Sequence, residues 1–102
     1  MNIDPAKVRR ETIRWMILLT LQNARPVGAH ENIVLTTIQA VFGDATPLEV
    51  RRELEYLKDR ALVDLEKSPS GPWSADLTRY GVDVAEYTVD VEPGIARPAK
   101  YW

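Results

Sequence analysis

The stretch Thr46-Pro47-Leu48-Glu49-Val50-Arg51-Arg52-Glu53-Leu54-Glu55-Tyr56-Leu57-Lys58-Asp59-Arg60-Ala61-Leu62-Val63 decides how this chain folds. Its first four residues read as a capping box. The Thr46 hydroxyl can accept from the amide of Glu49, Glu49 can reach back to the cap amide, and proline at the first helical position gives up no hydrogen bond. A helix therefore starts at Pro47. Val50, Leu54, Leu57 and Ala61 recur at helical spacing and form its inner stripe, leaving Arg51, Arg52, Glu55, Tyr56 and Asp59 outside. From Leu62 the period drops to two, with Val63 and Leu65 alternating against Asp64 and Glu66 as in a half-buried strand.

Upstream, Val34, Ile38, Val41 and Phe42 place an amphipathic helix over about 31–42, stopped by Gly43. Two helices joined by a tight capped turn make a helix-turn-helix. A first helix opens at Asp4-Pro5, an N-cap followed by proline. Its apolar stripe of Ile13, Met16, Ile17 and Leu21 is widened by Trp15, Leu18 and Leu19, so it should be covered on two sides before Pro26-Val27-Gly28 turns the chain into a loop.

Downstream, Ser68-Pro69-Ser70-Gly71-Pro72 is a turn cluster, and Trp73, Ala75 and Leu77 alternate on the returning strand of a hairpin. Thr78 can cap a short helix to about Tyr87, although Gly81 in its interior costs about 1 kcal/mol in propensity. Residues 87–91 read as extended, Glu92-Pro93-Gly94 as a turn, and a tail runs to Tyr101-Trp102. The expected class is α+β and mostly helical: a three-helix core, a two-stranded hairpin, a short C-terminal helix and a tail. The domain spans 1–87, with 88–102 an extension that packs on it or on a partner.

Composition bounds what such a domain can do. At 102 residues, 45% apolar and 27% charged, the chain suits one globular core. It holds no cysteine, which excludes disulfides, thiolate metal sites and cysteine nucleophiles and suits the cytoplasm. The longest apolar run, Trp15 to Leu19, is far short of the ~20 residues that cross a bilayer, and the N-terminus lacks the succession of a signal peptide. The lone His30, in the loop before the second helix, has no second histidine to build a metal site and reads as a surface or capping residue. No phosphate loop, nucleophile elbow or zinc motif is present, so neither a catalytic residue, a metal nor a cofactor is expected. A net charge of −2 gives no general attraction to polyanions, and any nucleic-acid binding must come from a local basic surface.

The order of elements over residues 6–87 resembles the winged helix-turn-helix family, in small bacterial and phage forms related to the MarR, ArsR and PadR regulators. The most specific part is 50–63, similar to the family's recognition helix with Ala61 where glycine is usual, joined by Leu77-Thr78 and Gly81 at the exit of the wing. The segment 92–98, Glu-Pro-Gly-Ile-Ala-Arg-Pro, is similar to the ending of small Mu-like phage or prophage proteins. The resemblance implies a DNA-binding transcriptional regulator. Thr46, Arg51, Arg52, Glu55 and Tyr56 on the recognition helix and Lys67 on the wing would meet double-stranded DNA, with Lys7, Arg9, Arg10 and Arg14 contacting phosphates.

The residues also argue against tight binding. Over 47–60, Arg51, Arg52, Lys58 and Arg60 are matched by Glu49, Glu53, Glu55 and Asp59, although Glu49 is taken by the capping box and Glu53 and Glu55 have cations such as Lys58 and Arg60 within reach. Lys67 stands among Asp64, Glu66 and Asp76, and Tyr56 can equally pack against the wing. A protein-binding module without DNA affinity is therefore the alternative function. Trp15, Leu19, Tyr101 and Trp102 could join the tail to the first helix or pair two chains as a homodimer.

Overall fold

A computed structural model describes residues 3–100. In chain order its elements are α1 (Pro5–Asn23), β1 (Ala29–His30), α2 (Glu31–Gln39), α3 (Pro47–Asp59), β2 (Val63–Glu66), β3 (Ser74–Leu77) and α4 (Arg79–Ala85). Asp4 caps α1, its Oδ1 accepting from the Ala6 amide at 3.0 Å. α1 buries Ile13, Trp15, Ile17, Leu18 and Leu21, a band wider than one flat contact needs. The width has a cause: α2, α3, β3 and α4 all pack against α1.

α2 ends at Gln39, earlier than its apolar spacing suggests. The chain tightens there into i to i+3 bonds, Ala40 N to Thr37 O and Val41 N to Ile38 O, which leaves Val41 exposed. The threonine half of the capping box at α3 forms, with Thr46 Oγ1 accepting from the Glu49 amide at 3.2 Å. The other half does not, because both Glu49 carboxylate oxygens accept from Arg9 of α1.

α3 buries Val50, Glu53, Leu54 and Leu57, so a carboxylate stands in the stripe that the sequence assigned to apolar residues alone. Ala61 leaves that stripe. It is exposed and left-handed, with φ +63°, and closes α3 in a Schellman turn: Leu62 N donates to Leu57 O and Ala61 N to Lys58 O, each at 2.9 Å. Left-handed backbone costs a Cβ-bearing residue about 1–2 kcal/mol, and glycine gives back part of that through the unfolded state. Ala61→Gly should therefore stabilise the chain by about 0.5–1 kcal/mol in urea unfolding; a loss of stability would show that the turn is held otherwise.

β2 and β3 pair antiparallel, Val63 with Leu77 and Leu65 with Ala75 facing the core, Asp64 with Asp76 and Glu66 with Ser74 on the outer face. The sheet has a third strand that the periodicity missed: β1 pairs with β3, Ala29 opposite Ala75, giving the order β1-β3-β2. A two-residue strand is too short to show alternation, and its partner lies far along the chain.

Thr78 docks α4, its Oγ1 accepting from the Gly81 amide at 3.0 Å and donating to Ala61 O at 2.7 Å. α4 closes at Ala85, short of Tyr87, in a second Schellman turn: Tyr87 has φ +64°, and Thr88 N donates to Asp83 O at 2.8 Å. The chain thus turns at 86–87 and bends at 88–89, where alternation had suggested an extended piece from 87 to 91. The Tyr87 ring meets Trp15 edge-on at 5.9 Å. The chain then runs back along α1. Ile95 is buried, Ala96 N donates to Glu11 O at 3.1 Å, and Arg97 Nη1 donates to the carbonyls of Val84 and Val89.

Candidate nucleic-acid interface

The outer side of α3, the start of α2 and the loop end of the β2–β3 hairpin form one surface. Glu31 is the first residue of α2. Its amide donates to the Trp73 carbonyl at 2.8 Å, and its carboxylate accepts from Nε and Nη2 of Arg51, both at 2.6 Å. The Arg51 guanidinium stands 4.5 Å from the centre of the Trp73 ring, and the Lys67 ammonium stands 4.8 Å from the same ring. Lys67 also pairs with Glu55 of α3. α2, α3 and the hairpin are therefore tied together through charged side chains at their common edge.

These pairs fix the charge states. Arg51 holds the Glu31 carboxyl below the usual carboxylate range, Lys67 does the same for Glu55, and Glu31 raises the affinity of Arg51 for its proton. On α1, the Arg9 guanidinium lies over Phe42, binds Glu49 at 2.8 and 2.9 Å and Asp44 at 2.9 Å, and lowers both carboxyls.

The basic residues expected to meet DNA thus fall into two groups. Arg52 is exposed and has no hydrogen bond or ion pair among the described residues, and Arg10 has none either. Lys7 makes only a long pair with Glu11 at 3.7 Å. Arg9 and Arg14 belong to the packing of α1 on α3. Arg14 Nε donates to Glu53 Oε1 at 2.7 Å and Nη1 to Gly94 O at 2.9 Å. The Thr46 hydroxyl is held by the Glu49 amide.

Tyr56 sits away from the hairpin, where the guanidinium of Arg14 stacks at 3.5 Å and that of Arg60 at 4.8 Å. Its hydroxyl lies where a Cβ on Gly94 would be, 2.2 Å away, which explains glycine at that turn. Glu53 and Glu55 find their cations in Arg14 and Lys67, on other elements, because Glu53 faces inward and Glu55 faces the hairpin. Trp15 is buried against Tyr87, Leu19 keeps 39% of its surface exposed, and Tyr101 and Trp102 lie outside the described residues.

Sequence reasoning missed Glu31 and Trp73, since nothing local marks a carboxylate and a ring that meet one arginine from distant segments. Among the described residues no cluster of three or more His, Cys, Asp or Glu could hold a metal ion, and no helix is long and apolar enough to cross a membrane. His30 is the exposed N-cap of α2, and its side chain makes no capping bond.

No protein-family model and no curated protein matches the sequence. Solved structures do. A candidate DNA-binding protein from Ralstonia eutropha superposes with a TM-score of 0.64 at 22% identity, over 87% of this chain and 100% of that one. MepR, a transcription regulator of the Staphylococcus aureus multidrug efflux pump MepA, superposes with a TM-score of 0.62 at 17% identity over 79% of this chain, which spans 63% of that chain's length. At these identities the likeness is one of fold, and together with the order α1-β1-α2-α3-β2-β3 and the capped turn between α2 and α3 it makes this chain a winged helix-turn-helix domain of the α+β class.

Proposed function

We propose that the chain binds double-stranded DNA as a transcriptional regulator, with α3 lying in the major groove and the β2–β3 hairpin beside it. The observation that carries this reading is the outer face of α3. Arg52 is exposed there, beside Arg51 and with no hydrogen bond or ion pair among the described residues, on a helix whose opposite face is fully packed. The neighbours' descriptions, DNA binding for one and transcription regulation for the other, add support. The acidic outer face of the hairpin, Asp64 opposite Asp76, would be repelled by phosphate, so this pose requires it to point away from the duplex.

A second reading, a protein-binding module, draws on Ile33 of α2, Val41 just after it and Leu48 of α3, which stay exposed, and on the carboxylates that already engage Arg51 and Lys67. Salt dependence separates the two readings. Affinity for a labelled random-sequence duplex should fall steeply between 50 and 200 mM salt (~0.05–0.2 M), and Arg52→Ala should flatten the log–log slope by about 0.9, the value of one phosphate contact. No binding at the lowest salt would favour the protein-binding module.

A further inference from the structure

We infer that Arg51 reads a guanine in the major groove and that Glu31 and Trp73 hold it in position to do so. This rests on the DNA-binding reading above and adds the base that is recognised and the residues that orient the reader.

The argument is stereochemical. A guanidinium carries five N–H donors in a planar fork. Glu31 takes one on Nε and one on Nη2, the side edge of the plane. The end edge, one hydrogen on each of Nη1 and Nη2, has no partner among the described residues, and the Arg51 side chain keeps 36% of its surface exposed. Two parallel donors on one edge match the O6 and N7 acceptors that guanine presents in the major groove, and no other base edge offers two acceptors so placed. Arg51 also lies in the first half of α3, the part of a recognition helix that contacts bases.

Holding the fork in place is the second requirement. The Trp73 ring covers one face of the guanidinium, while the Glu31 backbone is itself bonded to Trp73. The arginine is therefore clamped in plane and in rotation before any DNA arrives, and less side-chain freedom is lost on binding. Charge separates this role from phosphate binding. Arg51 and Glu31 sum to zero, so the pair releases few counterions, whereas Arg52, with no ion pair among the described residues, should release its share.

The test is a selection from a randomised duplex pool with the whole chain, followed by affinity and salt series for variants on the selected duplex. Wild type should enrich a site containing a guanine whose replacement by 7-deazaguanine, which lacks the N7 acceptor, weakens binding on the order of tenfold. Arg51→Ala and Arg51→Lys should both lose preference at that position while keeping the salt slope, the lysine variant guarding against a simple loss of folding. Glu31→Gln should steepen the slope by about 0.9 and reduce discrimination.

Salt-dependent binding without any base preference in wild type would overturn the inference and leave the DNA-binding reading intact. So would an Arg51→Ala variant that keeps its preferences and loses slope. Absence of duplex binding at any salt would overturn both.

Discussion

Arg14→Ala is expected to destabilise the chain by about 3–5 kcal/mol, the cost of leaving a buried charge without its partner. The partner is Glu53, 1% exposed in the middle of the buried stripe of α3, whose Oε1 accepts from the Arg14 Nε and whose Oε2 has no hydrogen-bond partner among the described residues. Alanine also removes the donor to Gly94 O and the cation stacked on Tyr56, so the segment carrying Ile95 loses one of its attachments to α1. A buried ion pair is weak evidence for net stability, since well-packed apolar residues of similar volume often replace one without loss. The double variant Arg14→Met with Glu53→Met should accordingly recover most of the deficit, to within about 1 kcal/mol of wild type. Chemical unfolding of the two variants checks both statements. A mild effect of Arg14→Ala would mean that water reaches Glu53 in solution.

Gly81→Ala separates two accounts of α4 by sign. Helix propensity alone favours alanine over an interior glycine by about 1 kcal/mol. The structure gives the opposite result, because a Cβ at 81 would lie 2.1 Å from the Leu62 carbonyl oxygen and 3.1 Å from Leu77 Cδ2. The first is backbone and cannot rotate aside. That carbonyl also accepts from the Thr78 amide at 3.1 Å, so moving α4 away breaks the bond that docks it. The variant should lose roughly 3 kcal/mol, at the upper end of overpacking costs, seen as a fall in melting temperature of about 12–24 °C for a domain of this size. A melting temperature equal to or above wild type would show that α4 is not seated on the α3–β2 junction.

The same residue shows where the sequence stops being informative. Caps are local, so Asp4-Pro5, Thr46-Pro47 and Thr78 announce α1, α3 and α4 correctly from a few neighbouring residues. Gly81 reads as a propensity defect because its reason, the Leu62 carbonyl, comes from another element. Glu53 left a trace: with Val50, Leu54 and Leu57 it completes an i, i+3, i+4, i+7 face, but a polar residue is discounted when such faces are read. Ala61 and Tyr87 adopt the left-handed conformation without being glycine, so neither helix end carries the usual signal. The segment 92–98, singled out for its likeness to phage proteins, is the stretch whose Gly94 and Ile95 seat on Tyr56 and the core.

The candidate interface was legible in part. That Arg51 and Arg52 lie on the outer face of α3 and Lys67 on the hairpin follows from periodicity; their assignment to DNA came from the resemblance. Which of them is held and which is free depends on Glu31, 20 residues from Arg51 in the chain, and on Glu55, 12 from Lys67. On α1 the basic run suggested one phosphate-facing end, but helical geometry turns Arg9 and Arg14 toward Glu49 and Glu53 on α3 and leaves Arg10 half-buried, with no ion pair among the described residues.

The most direct test of the central claim is to follow the backbone amide signals of the protein by NMR while duplex DNA is added. The account predicts shifts concentrated in residues 46–59 of α3 and its cap and in 67–73 of the hairpin, with 79–100 little changed. Shifts confined to α1 and to residues 88–100, or none at low salt, would contradict it.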